Sequence, residues 1–256
     1  MGFIRTLRTI VGRAIKSKTF LIAFLMVFIF RLLDIGVELV SCLEKVDGSF
    51  SIRLYNTIDI FELHGITMMG MVMLVIPVIV YSSAFCDDLS SNYLTYVLMK
   101  SGKTAYSMAT VLSCAIGSFL CVFLGELSVT LFVNQFMPFY EGGSKGFEHA
   151  IILASTRIIL YGLEGAFYGV ATMLLSIFAK SKFVIYTSPL LLYFFLMYFG
   201  DDFLKISTKL NPAFVFKGFI LGTGEQVKSV IYAFVYLIVV IFIAVRGMEK
   251  KIERCY

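Results

Sequence analysis

Several charged residues lie inside long apolar stretches of the sequence, where ionisable groups are rare. They are Arg31, Asp34, Glu38, Glu126, Arg157 and Glu164. A charge at the centre of a bilayer costs about 2.5–3.5 kcal/mol on insertion scales, so such residues either pair with one another or line a wet path. Helical spacing puts the first three on one face and the last two on another. Both interpretations stay open: pairs that hold helices together, or a translocation path whose four acids against two arginines would favour cationic cargo.

The sequence offers no pattern for catalysis or for a metal. Residues 101–104, Ser-Gly-Lys-Thr, resemble the end of a phosphate-binding loop, but Val97 stands where its first glycine is required. The two histidines, His64 and His149, belong to no metal-binding motif. Serines in the apolar stretches lack a nucleophile motif. We therefore expect neither an enzyme nor a chain that binds its own cofactor or metal.

Composition places the chain among membrane proteins. Of its 256 residues, 59% are hydrophobic and 15% are charged, and its mean hydropathy is +0.89. Soluble domains are about half apolar and a quarter charged, and disorder requires low hydrophobicity. The apolar runs are also too long and unbroken for a transmembrane β-barrel. We expect an all-α integral membrane fold without a nucleic-acid-binding face.

Six apolar stretches are long enough for membrane-spanning helices, which need about 20 residues each. They cover residues 20–40, 65–85, 106–136, 151–178, 183–199 and 227–245. Little chain remains for a soluble domain, so residues 1–256 are interpreted as a single transmembrane domain.

The distribution of basic residues predicts the orientation. With six spans, both termini lie on one side, and that side holds 13 Lys and Arg against 7 in the three opposite loops. Basic residues in short loops favour the cytoplasm. Both termini are therefore expected to be cytoplasmic, in a multi-pass protein of the cell membrane. The net charge of +5 is attributed to this topology and to attraction to membrane lipid.

The N-terminal segment, residues 1–18, has the pattern of an interfacial helix. Phe3, Leu7, Ile10 and Ala14 share one face, with further aliphatic residues alongside, and the opposite face is basic. Amphipathic helices of this kind lie in the plane of the membrane surface. The segment is either a simple positive anchor or a brace that also contacts a partner.

The loop after the second stretch, residues 87–100, begins with acids and continues as a short amphipathic helix. Asp87 and Asp88 precede Leu89, and the next three residues, 90–92, are suitable helix caps. Leu94, Val97 and Leu98 then form an apolar edge at i, i+3 and i+4. Such a helix suits a groove on a soluble partner; the alternative is a plain surface loop.

This order of elements resembles the membrane subunit of ABC-2 type transporters, the permeases of type-2 ABC exporters. The likeness is carried by the basic N-terminal helix, by the acidic loop DDLSSNYLTYVLMKSGKT entering the third span, and by an outer segment NPAFVFKGFILG before the last span. In that family the loop after the second span is the coupling helix seated in the ATPase subunit. The resemblance assigns this role to Asp87, Asp88, Leu89, Tyr93, Leu94, Val97 and Leu98.

The resemblance also implies partners and a fold for the segment 201–228. That segment is too polar to span and too apolar for a free loop; the family suggests a re-entrant hairpin, and a helix lying on the outer surface is the alternative. The implied assembly has two permease chains, identical or related, over two cytoplasmic ABC ATPase subunits that carry ATP and Mg²⁺. The expected function is export of a peptide, antibiotic or lipid-like cargo from a bacterial cell. A passive channel, a structural or sensing scaffold and an intramembrane enzyme are the alternatives.

Overall fold

The fold, obtained as a computed structural model, is described for residues 3–41, 43–46, 49–52, 68–91, 93–136, 147–179, 181–198, 211–216 and 226–255. Within these ranges the chain is helical apart from one short hairpin. Five helices are long and apolar enough to cross a membrane by length and composition. This architecture is compatible with a multi-pass membrane protein, in which helices satisfy their own backbone hydrogen bonds.

The elements follow in a simple order along the chain. The helices are α1 (Phe3–Ile15), α2 (Lys18–Ser41), α3 (Met68–Tyr81), α4 (Ala84–Ser90), α5 (Tyr93–Ser101), α6 (Lys103–Val133), α7 (Phe147–Ser176), α8 (Lys182–Phe194), α9 (Pro212–Val215) and α10 (Gln226–Cys255). Between α2 and α3, strands β1 (Leu43–Val46) and β2 (Ser49–Ile52) pair antiparallel.

Five of the six apolar stretches become helices of spanning length, and the fifth in chain order becomes a shorter one. That shorter helix, Lys182–Tyr198, comprises α8 and a π-helical turn over 195–198. The second stretch is interrupted at Ser82 and Ser83, where α3 ends and α4 begins. The segment 201–228 lies mostly outside the described residues, apart from α9 with its neighbours and the start of α10.

The core of the bundle lies between α6 and α7, which bury most of their surface. α10 and α8 pack against α7, while α1 and α2 pack against α6. α2 and α10 bury much less of themselves and expose rows of large apolar side chains, including Leu25 and Ile29 on α2 and Ile238 and Phe242 on α10. Helices that expose apolar surface in this way are suited to a lipid solvent.

Small residues bring α6 and α7 together. A Cβ added at Gly165 would lie 2.7 Å from Cγ2 of Val122 and 3.2 Å from the backbone oxygen of Ser118, so only glycine fits there. Ser118 in turn donates from its hydroxyl to the carbonyl oxygen of Pro77 at 2.9 Å, which joins α6 to α3. Small residues and inter-helix hydroxyl bonds are typical of helix packing in membranes.

Gly165→Ala should therefore destabilise the bundle. The added methyl group overpacks a contact that includes backbone, and overpacking costs typically 1–3 kcal/mol. The matched control is Gly36→Ala on α2, where no neighbouring atom lies within 4 Å of an added Cβ. That variant should be neutral or gain up to about 1 kcal/mol from helix propensity. Unfolding in detergent micelles measures both, and equal stability of the two variants would contradict the packing argument.

Candidate functional site

The acidic loop predicted to couple to a partner forms two short helices, α4 and α5, at one end of the bundle. Ser90 and Ser91 donate from their hydroxyls to the carbonyl oxygen of Asp87, at 3.0 Å and 2.7 Å. These serines therefore close the end of α4, whereas the sequence suggested them as N-caps of the next helix. A serine hydroxyl readily satisfies a free carbonyl at a helix end in this way.

Asp88 is the centre of this end of the protein. Its side chain is only 2% exposed, and each carboxylate oxygen has its own donor. Arg13 on α1 donates from NH1 to Oδ1 at 2.8 Å, and the hydroxyl of Tyr106 on α6 donates to Oδ2 at 2.8 Å. The guanidinium of Arg13 also lies over the ring of Tyr93 on α5, 5.2 Å from its centroid. One carboxylate thus joins α4 to α1 and α6.

Burial and charge act in opposite directions on Arg13. Partial burial lowers the pKa of its guanidinium, but the hydrogen bond to Asp88 and the charge of that carboxylate raise the pKa above its ordinary value. Arginine is already protonated throughout the range in which proteins are folded. The bond to Asp88 therefore keeps its cationic donor at every physiological pH.

Asp87 makes a second, more exposed connection. Its Oδ1 lies 2.7 Å from Nζ of Lys182, the first residue of α8. Next to it, Tyr186 on α8 donates from its hydroxyl to Oγ of Ser83 at 3.2 Å. These groups and Arg13, together with apolar residues of α3 and α4, line a half-open cavity of about 240 Å³ between α1, α3, α4 and α8. The acidic pair therefore contacts three different helices of the bundle.

The helix α5 presents a different face from the one expected. Leu94 is fully buried, and Val97 and Leu98 pack partly buried against the main core. The exposed large side chains are Tyr93, Tyr96 (63%) and Met99 (82%), with the ammonium of Lys100 over the Tyr96 ring. The predicted apolar edge is thus used inside the protein, because the core behind α5 is apolar as well. Tyr96 and Met99 are surface candidates that the sequence analysis missed.

The charges inside the apolar helices form a buried cluster. Nε of Arg31 on α2 donates to Oε1 of Glu126 on α6 at 2.7 Å, and NH1 donates to Oδ2 of Asp34 at 3.2 Å. The guanidinium also lies over the ring of Tyr161 on α7, 4.5 Å from its centroid. All three charged side chains are 6% exposed or less. This arrangement favours the structural interpretation, in which charges hold α2, α6 and α7 together.

The remaining charged candidates lie on α2 and α7. Arg157 and Glu164 are both buried on α7, one turn on either side of Tyr161. Glu38 lies on α2, and its side chain falls outside the described part. Among the described residues, no group of three or more His, Cys, Asp and Glu is arranged to hold a metal ion. The described charged residues therefore form ion pairs inside the bundle and at its end.

Removal of the Tyr106 hydroxyl should weaken the fold. Tyr106→Phe leaves Oδ2 of a buried carboxylate without its donor, which costs about 1–3 kcal/mol in the free energy of unfolding. The control is Tyr232→Phe on the exposed apolar face of α10. It should change the free energy of unfolding by less than about 0.5 kcal/mol. Denaturation in detergent compares them; a similar effect of both variants would mean that Asp88 does not depend on Tyr106.

The buried cluster should show strong energetic coupling. Arg31→Met removes the guanidinium that bonds both buried carboxylates, and the loss of one member of a buried pair costs about 3–5 kcal/mol. The double variant Arg31→Met with Glu126→Leu should lose clearly less than the sum of the two single variants. A double-mutant cycle on unfolding free energies measures this difference, and strict additivity would contradict the ion pair.

No family model matches this chain, and neither a curated protein nor a solved structure matches it. The site consists of a buried carboxylate that connects a short, partly exposed helix pair to α1 and α6, beside an ion pair to α8.

Proposed function

We propose that this chain is the permease subunit of an ABC-2 type exporter, driven by a separate ATPase subunit. Its cargo would be a peptide, an antibiotic or a lipid-like molecule. Two permease chains, identical or related, would stand over two ATPase subunits in the membrane of a bacterial cell. ATP and Mg²⁺ would be bound by the partner.

The connection through Asp88 is the observation that carries this proposal. An ATPase that moves a loop does work on cargo only if the loop is rigidly attached to the helices that must move. Asp88 attaches α4 to α1 and α6, and Asp87 attaches it to α8. A charge-assisted, buried hydrogen bond is stronger and better defined in direction than an exposed one. A displacement of α4 and α5 would therefore be passed on to three helices together.

The helix α6 provides the path from the loop to the interior of the bundle. It runs without interruption over 31 residues, which is about 46 Å at 1.5 Å per residue. Tyr106 near its start contacts Asp88, and Glu126 further along pairs with Arg31. A tilt of α6 would act on both clusters. Transport would then require two arrangements of these helices whose populations nucleotide changes.

The proposed topology has six spans with both termini in the cytoplasm. Five are the long apolar helices, and the remaining one is Lys182–Tyr198, whose 17 residues are at the lower limit for crossing a bilayer. The excess of Lys and Arg beside α1, α5, α8 and the end of α10 supports this orientation. It puts α4 and α5 on the side where an ATPase would be.

The exposed face of α5 gives a test that preserves the fold. Tyr96→Ser with Met99→Ser removes two exposed side chains and leaves Asp88 and Leu94 intact. We expect the tagged chain, purified from its own host, to retain an ATPase with Walker A and B sequences, and the variant to lose most of it. Aromatic and methionine side chains often carry binding energy at interfaces. Quantitative mass spectrometry of the purified complexes measures the ratio.

The matched control removes one tyrosine and one methionine elsewhere. Tyr232→Ser with Met26→Ser changes exposed residues on α10 and α2, and it should keep the ATPase. Equal retention by both double variants would show that the partner does not bind α5. Ion or cargo flux through the purified chain alone in vesicles, without an ATPase, would instead favour a passive channel. A reaction product formed by the chain alone would favour an intramembrane enzyme.

A further inference from the structure

The surface of α1 divides into three sectors, where the sequence suggested two. The first sector packs on the protein: Thr6, Ile10 and Ala14 are buried, and Phe3 and Leu7 contact the core. The second is an apolar row at i, i+7 and i+11, formed by Ile4, Val11 and Ile15. The third is basic. The apolar face of the sequence is thus only partly used for packing.

The apolar row is only partly covered in the structure. Ile4 is 79% exposed, and Val11 and Ile15 are half-buried. A helix surrounded by water gains nothing from an exposed row of branched aliphatic side chains, because the favourable free energy of burying their apolar surface is not realised. The row points to an apolar phase beside α1.

The basic sector adjoins this row. Arg5, Arg8, Arg13 and Lys16, with Thr9 and Gly12, line an open, nearly flat surface along the helix. No Asp or Glu occurs between Phe3 and Ser17, so within α1 the cations are not neutralised. Of the four, Arg13 is engaged by Asp88. The other three present guanidinium and ammonium groups, which bind phosphate well.

The position of α1 in the chain indicates that a phosphate bound by its basic residues would belong to a membrane lipid. Its last residue, Ile15, is separated by only two residues from Lys18, where the apolar helix α2 begins. The basic sector therefore lies within a few turns of the membrane surface. The basic residues of α1 match the anionic headgroups of a lipid monolayer, and the apolar row beside them matches its acyl chains.

We infer that α1 carries a binding site for anionic phospholipid, in which Arg5, Arg8 and Lys16 hold the phosphate headgroup and Ile4, Val11 and Ile15 contact the acyl chains. The site holds a lipid against the helix that is joined to Asp88. It is independent of any ATPase partner, so its test and that of the proposed function fail separately.

The test uses the full chain in a neutral detergent, with phosphatidylglycerol and phosphatidylcholine as probes and native mass spectrometry as readout. We expect preferential retention of phosphatidylglycerol. The variant Arg5→Gln, Arg8→Gln, Lys16→Gln should reduce that retention roughly a hundred-fold, because each basic residue near an anionic surface contributes about a five-fold factor. Arg13 is left in place so that the contact with Asp88 persists.

The matched control removes the same number of charges from the end of α10. The triple variant Lys250→Gln, Lys251→Gln, Arg254→Gln should retain phosphatidylglycerol as the unchanged chain does. The single variant Ile4→Ser should reduce that retention several-fold, because it removes a contact with the acyl chains.

Equal loss in both triple variants, or no preference over phosphatidylcholine, would overturn the site. Displacement of the lipid by millimolar inorganic phosphate, with no effect of Ile4→Ser, would mean a free-anion site. Unchanged lipid binding with loss of an acidic protein partner would make the sector a protein interface.

Discussion

A buried carboxylate needs hydrogen-bond donors, and this requirement organises the helices at one end of the protein. Asp88 has almost no access to water, and an unpaired charge in such a place costs several kcal/mol. Arg13 and Tyr106 each supply one donor, from helices that are far apart in the chain. Because both donors are required, α1, α4 and α6 must meet at this point. The position of the N-terminal helix follows from that meeting.

The same rule operates deeper in the bundle, where α2, α6 and α7 surround Arg31. Its guanidinium donates hydrogen bonds to two carboxylates and lies over the ring of Tyr161. These opposite charges therefore compensate one another inside the bundle. Hydroxyl groups behave similarly: Ser82 donates to the carbonyl oxygen of Gly169, and Ser118 donates to that of Pro77. Within the described bundle, these buried polar groups thus join neighbouring helices, as expected where no water competes.

The two ends of the proposed mechanism are connected by a single uninterrupted helix. α6 carries Tyr106 near one end and Glu126 further along, and it packs against α1, α2 and α7. In the proposed mechanism, the exposed side chains of α5 would offer a surface to a partner, and the basic sector of α1 would offer one to lipid. Both surfaces are attached to the same carboxylate. Partner and lipid would therefore act on one set of contacts.

The sequence by itself determined the class of fold, because apolar runs of about 20 residues have few other solutions. It also located most helix boundaries to within a few residues, although α10 runs on to Cys255, well beyond the predicted end at residue 245. It identified Asp87, Asp88 and Arg31 as notable. Only the tertiary structure decided what these residues touch, since Arg13 and Asp88 are 75 residues apart and no local pattern encodes such a pairing. It likewise decided that Leu94 faces inward and Met99 outward. Helical periodicity defines an apolar face, but the packing of the other helices determines whether protein, lipid or a partner covers it.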